Sequence, residues 1–302
     1  MTLTAALVVA SLMIGVAEGS SEVLNVSRIP RTVAVLLTGS SLALAGMIMQ
    51  SITRNRFVSP STVGSTESAA IGLVGMFIFF PAAPMWLKAL VAAVTAGIGT
   101  LIFLQLVSGV RARDNFTVPL IGIIYGGVIG AVGTFFAVRH NLLQSLTSWQ
   151  LGSFAGVVQG RYELLWVLVA VMVGSWFIAD QLCILQLGHA AATNLGLRVK
   201  DVERLSVLMV ATVAAVTVAV VGMLPFVGLI VPNIVRSLFG DNTRVTLPWV
   251  ALIGGSLTLM CDIVARTIIY PMEMPIGAVL GVVGAVVFLA FLLRMTYSPR
   301  GM

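Results

Sequence analysis

Residues 204–224 read Arg204-Leu-Ser-Val-Leu-Met-Val-Ala-Thr-Val-Ala-Ala-Val-Thr-Val-Ala-Val-Val-Gly-Met-Leu224, with a single charge at the first position. Apolar and polar residues do not alternate, so this is not a strand with one wet face. The run is long enough to cross a bilayer core as a helix, which takes about 20 residues. Residues 276–293 have the same character.

The whole chain follows this pattern. Of its 302 residues, 59% are hydrophobic and 9% are charged, whereas a soluble domain is about 25% charged. Mean hydropathy is +1.07. Too few polar residues exist to coat a water-soluble particle, so lipid must be the solvent for most of the surface. In lipid every backbone N–H and C=O is paired internally, which leaves helix bundles and closed barrels. A barrel needs alternating strands of about 10 residues. The fold class is therefore all-α, a single polytopic membrane domain over residues 1–302.

Spans are expected at 2–17, 32–51, 61–80, 86–108, 116–137, 162–182, 204–223, 226–239, 246–268 and 275–293, about ten in all. One side then carries Arg54, Arg56, Arg111, Arg113, Arg198, Lys200, Arg204, Arg236, Arg244, Arg294 and Arg300. The other carries Arg28, Arg31, Lys88, Arg139, Arg161 and Arg266. The richer side is cytoplasmic by the positive-inside rule, which puts both termini inside. The first span lacks a basic flank, so a cleaved signal peptide is not expected. The same rule accounts for the net charge of +6 without nucleic acid.

Several chemistries are missing. Lys88 and Lys200 are the only lysines and neither follows glycine, so there is no P-loop for ATP. His140 and His189 are isolated, and Cys183 and Cys261 are too few for a disulfide framework or a zinc site. No metal, cofactor or catalytic group is expected on this chain. Glu67 is the one acid well inside a span. It bonds to neighbouring Ser or Thr, couples an ion or gates a path. Pro225 and Pro232 interrupt the short eighth span. Proline removes a backbone donor, so these two mark either an ordinary kink or the wall of a path covered by protein or water.

Four blocks of sequence carry a family resemblance. They are Ser27-Arg-Ile-Pro-Arg-Thr32, Arg54-Asn-Arg-Phe-Val-Ser-Pro-Ser-Thr-Val-Gly64, Leu187-Gly-His-Ala-Ala-Ala-Thr-Asn-Leu-Gly196, and the set Phe226–Pro232, Cys261–Arg266 and Glu273–Gly277. In this order the chain resembles the iron–siderophore and vitamin B12 permeases of type II ATP-binding-cassette importers. The resemblance implies ten helices and two permease subunits, paralogous or identical, around a central path. It also implies two ATPase subunits that use ATP and Mg, and an extracytoplasmic binding protein. The host membrane would be the bacterial cytoplasmic one. The Arg-Phe variant of the second block resembles the siderophore branch and implies a ferric siderophore as cargo. Vitamin B12, haem and a gradient-driven transporter remain the alternatives.

The resemblance also assigns residues. Arg28, Arg31 and Arg266 match arginines that pair with glutamates of the binding protein, a match suited to guanidinium geometry. Interfacial snorkelling is the other reading, and Asp262 could hold Arg266 within its own helix. Replacing all three with glutamate is expected to leave the permease folded. Leu187, Gly188, His189, Ala192, Asn194, Leu195 and Gly196 match the coupling region, two short helices that fit a cleft in the ATPase. A plain connecting loop is the alternative. Ser59 and Pro60 are expected to cap and start the third span.

Overall fold

A computed structural model describes residues 2–14, 22, 24–108 and 116–297. Positions 15–17 of the first expected span, together with Arg111, Arg113 and Arg300, lie outside the described residues. So does the side chain of Arg294.

Thirteen α-helices are described: α1 (Thr2–Met13), α2 (Ile29–Thr53), α3 (Ser65–Phe79), α4 (Met85–Ser108), α5 (Thr117–Arg139), α6 (Leu143–Leu151), α7 (Val167–Phe177), α8 (Ala179–Leu185), α9 (His189–Asn194), α10 (Val199–Val220), α11 (Val227–Phe239), α12 (Thr243–Thr267) and α13 (Ile276–Tyr297). Six helical segments are long and apolar enough to cross a membrane, the one containing α2 starting at Leu24. The segment Glu163–Phe177, which includes α7, and α8 pass the same test only together, across a bend of 59° that makes them a broken span or a re-entrant loop. The shorter apolar helices α1, α3 and α11 occupy the three remaining expected positions.

Helix α2 is the centre of the bundle. Every residue from Thr38 to Ile52 is buried. In its span 83% of the best window is buried, against 22% for α5, which therefore belongs to the periphery. Apolar area does not drive helices together in lipid, so close packing and hydrogen bonds must do so. The α2 sequence supplies both. A Cβ added at Gly39 would lie 2.6 Å from the Gly254 carbonyl oxygen of α12. One added at Gly46 would lie 1.8 Å from the Gly228 carbonyl oxygen of α11. Pro232, one turn after Gly228, has no N–H, so it leaves the Gly228 carbonyl outside the helical ladder. That freed carbonyl is the one lying against Gly46. Ser40 adds a hydrogen bond from its hydroxyl to the Ala251 carbonyl at 2.7 Å. Gln186, just after α8, donates to the Ser51 and Thr243 hydroxyls at 3.0 Å each.

The third span starts later than the sequence suggests. Pro60–Thr62 is a separate turn of 3-10 helix, and α3 begins at Ser65 after Gly64 at φ 78°. The Ser59 N–H donates to the Thr62 hydroxyl at 2.8 Å, so the Ser-Pro-Ser-Thr run builds this turn and not the helix cap. The polar stretch 138–162 contains α6, a short helix that sequence reading passes over.

Replacing Gly46 with alanine is expected to lower stability by about 1–3 kcal/mol, the usual cost of overpacking. Gly127, whose added Cβ would meet nothing within 4 Å, should accept alanine with a change under about 0.5 kcal/mol. Thermal unfolding of the two variants in detergent checks the contrast.

Candidate functional site

Three regions suggested by sequence come out as distinct places in the fold. The first is the corner where α1 ends and α2 begins. Arg31 donates to Asp262 at 2.8 Å and to both Glu273 oxygens at 2.9 and 2.8 Å. The other Asp262 oxygen forms an ion pair with Arg266 at 2.8 Å. Asp262 is 0% exposed, and a buried carboxylate is tolerated only when paired. Two guanidinium groups supply that pairing.

Arg266 is turned inward. Its Nη1 donates to the Ser11 and Ile14 carbonyls at 3.1 Å each, and its Nη2 also reaches the Ser11 hydroxyl at 2.7 Å. Arg28 donates to the Leu12 carbonyl at 2.8 Å and the Met13 carbonyl at 3.3 Å. The last carbonyls of a helix have no partner within it, and a cation there also suits the helix dipole. Arg28 and Arg266 therefore close the end of α1. The expectation that all three arginines tolerate glutamate is corrected here. Reversal at Arg266 would set a carboxylate beside buried Asp262 and strip the carbonyls of α1.

The second region is a half-open recess of about 1010 Å³. The 57–62 turn, α5 and α13 contribute Phe57, Phe116, Leu120 and Phe288, while the break between α10 and α11 contributes Met223, Pro225 and Phe226. Ser59, Ser61, Thr62, Thr66 and Gln150 supply neutral polar groups, and Glu67 is the one charged lining residue. The Thr66 hydroxyl donates to the Glu67 carboxylate at 2.9 Å. Gly126 and Gly130 of α5 face Glu67, where an added Cβ would come within 3.7 and 3.9 Å of its side chain. The small residues leave that carboxylate room beside the recess.

The wall at 221–226 is not helical. Helix α6 covers it: the Met223 N–H donates to the Trp149 carbonyl at 2.6 Å, and the Ser153 N–H donates to the Val221 carbonyl at 2.8 Å. Phe226 sits at φ 67°, a conformation costly for a bulky side chain. Pro225 lines the recess. Pro232 does not, and is instead buried within α11. Of the two prolines, only Pro225 fits the wall reading.

The third region is the end of the bundle carrying α9. Gly188 precedes this helix at φ 106°, and an added Cβ there would lie 3.0 Å from the Arg54 guanidinium. Ala192 packs inward, while Leu187 and Leu195 are 66% and 64% exposed at either end of the turn. Asn194 and Gly196 are exposed as well. His189 pairs with Glu203 at 3.1 Å, fixing α9 to the first turns of α10. Leu187 and Leu195 are thus large apolar side chains that this turn leaves uncovered.

Sequence reading overlooked Glu273 and Ser11 as structural partners. Glu273 lay inside a quoted motif, but nothing in sequence places it against Arg31. Lys88 also differs from a simple outer-face charge. It is buried, its ammonium donating to the Pro81 carbonyl at 2.7 Å and lying 3.9 Å from the Phe77 ring centre.

With this architecture established, residues 2–294 match the FecCD transport family. The chain belongs to that family. It is 42% identical over 283 residues to the petrobactin import system permease protein FatD of Bacillus anthracis, covering 94% of this chain and 84% of that protein. It is 37% identical to the ferric-anguibactin transport system permease protein FatD of Vibrio anguillarum, covering 89% and 85%. Its fold resembles a structure described as an inward-facing conformation of a metal-chelate type ABC transporter. The TM-score is 0.82 at 26% identity, with 97% of each chain covered. For a FecCD-family chain, the half-open recess, the α9 surface and the arginine corner are the three regions that need functional roles.

Replacing Asp262 with alanine is expected to destabilise the protein by about 3–5 kcal/mol, because buried Arg266 loses its carboxylate while Arg31 keeps only Glu273. Pairing D262L with R266M should recover part of that loss. Unfolding midpoints of the single and double variants measure it.

Proposed function

We propose that this chain is the membrane-spanning permease of an ATP-binding-cassette importer that carries a ferric siderophore across the bacterial cytoplasmic membrane. The observation that carries the reading is the recess of about 1010 Å³ with one charge in its lining. It is large enough for a metal chelate and offers no cluster of ligands to strip the metal. Among the described residues no group of three or more His, Cys, Asp and Glu side chains could hold a metal ion. A passage without a tight site favours release. Cargo identity is supported by the siderophore import permeases at 42% and 37% identity.

The recess is open on one side, and a second permease subunit, identical or paralogous, would close it into a central path. The unwound 221–226 segment forms a wall that can shift without breaking a helix. Two ATPase subunits would engage α9 through Leu187 and Leu195, with Gly188 and Ala192 letting the helix sit close to the bundle. The ATPase subunits hold ATP and Mg; this chain supplies no catalytic group. That end is cytoplasmic by the excess of basic residues, which puts both termini inside.

At the opposite face an extracytoplasmic binding protein would dock at the arginine corner. Arg28 and Arg31 present the charge, and Arg266 holds the corner from beneath. Arg31 is bound to Glu273 in this structure, so a docking carboxylate would replace that partner. The Arg31 Nη1 that now serves both Glu273 oxygens is the donor that such a carboxylate would take over.

The importer reading is tested by replacing Leu187 and Leu195 together with glutamate. ATPase subunits should no longer co-purify and uptake should fall at least tenfold, while the unfolding midpoint of the permease stays unchanged. Retained co-purification overturns the coupling role. Glu67→Gln separates the energy sources. Uptake in proteoliposomes should remain dependent on ATP, insensitive to a protonophore and within a few-fold of the parent rate. Gradient-driven uptake that disappears in Glu67→Gln would instead identify a secondary transporter.

A further inference from the structure

A second recess, of about 620 Å³, lies at the end of the bundle that carries α9. Its apolar side is made by Ile52 of α2, Leu101, Leu104 and Val107 of α4, Val118 of α5 and Val207 of α10. Its polar side holds Arg54, Lys200 and Arg204, with His189 and Glu203 paired beside them. Arg54, Lys200 and Arg204 are exposed, so their charges are available at the mouth. Among the described lining residues, three cations against one carboxylate leave the site positive whatever the state of His189.

The position of the recess narrows what fills it. It spans the ends of α2 and α4 and the starts of α5 and α10, all of them membrane-crossing helices. Leu101, Leu106, Leu205 and Leu208 nearby are exposed apolar residues on the outer faces of α4 and α10, the surface that meets acyl chains. A ligand here has one end in hydrocarbon and the other among arginine and lysine at the water boundary. Basic pockets between transmembrane helices at this level suit anionic headgroups.

We infer that this recess is a binding site for an anionic phospholipid. The headgroup phosphate rests among Arg54, Lys200 and Arg204, and an acyl chain lies along Leu101, Leu104 and Val207. Arginine and lysine serve complementary ends, since guanidinium can grip two phosphate oxygens in a fork and ammonium acts as a point charge. Glu203 weakens the site by repelling the headgroup, and its pairing with His189 keeps that carboxylate turned to α9. The lipid would thereby touch the same α10 turn that anchors the short helix. The inference goes beyond the transport reading and does not depend on which leaflet holds this end.

The experiment is thermal unfolding of the purified full-length chain in a neutral detergent, titrated with phosphatidylglycerol or phosphatidylcholine. A ligand that binds only the folded state raises the midpoint by mass action. Roughly thirtyfold tighter binding of phosphatidylglycerol is expected, from about 1 kcal/mol for each of the two cations that Glu203 leaves uncompensated. The triple variant R54Q/K200Q/R204Q should lose that preference, while R139Q/R161Q at the opposite end keeps it. Glu203→Gln should tighten phosphatidylglycerol binding several-fold, which tests the site even if the triple variant fails to fold. The inference is overturned by an unchanged preference in either the triple variant or Glu203→Gln. It is also overturned if inorganic phosphate at equal concentration reproduces the shift, which would mean a free-anion site. Loss of the lipid effect on adding the ATPase subunit would overturn it too, by assigning the recess to protein docking.

Discussion

The backbone contact between α2 and its neighbours α11 and α12 sets the rest of the structure. Gly39 and Gly46 bring main chains together at distances no side chain would permit. In lipid there is no gain from hiding leucine against leucine, since acyl chains are equally apolar. The favourable terms are dispersion at close range and hydrogen bonds such as Ser40 to the Ala251 carbonyl. Pro232 contributes indirectly, because the carbonyl it releases is the one that meets Gly46. A residue that looks like a flaw in α11 thus belongs to the packing of the bundle.

Fixing α11 against α2 has a consequence further along the chain. Helix α10 has 22 residues but α11 only 13, so the return leg is completed by non-helical backbone at 221–226. Such backbone needs partners within the membrane. Trp149 and Ser153, at and just after α6, provide them. The short polar helix and the irregular segment are two halves of one solution, and together they shape the wall of the large recess. The arginine corner solves a related problem at the end of α1, whose terminal carbonyls are met by Arg28 and Arg266.

Much of this was legible in sequence, and the failures have physical reasons. The apolar segments were legible because lipid imposes length and composition on each span independently, although α1, α3 and α11 are shorter than a full span. The third block contains α9, and Glu67 lies in the lining of the large recess. Helix α6 was hidden because Gln144, Ser145, Thr147, Ser148 and Gln150 make it look like a loop. Its helicity comes from what it covers. Ser59-Pro60 resembled a cap because a 3-10 turn and an α-helix begin with the same residues. The contacts of the arginines were the least legible. Arg266 meets Ser11 across 255 positions of chain, and no local pattern shows which carbonyls will stand beside a guanidinium.

The lining of the large recess also poses a problem of solvation. Hydroxyls, an amide and the Glu67 carboxylate line a half-open hollow in an otherwise apolar chain. Such groups are costly against acyl tails, so water or another protein surface suits them better. The hollow is thereby the part of this chain least at home in bare lipid.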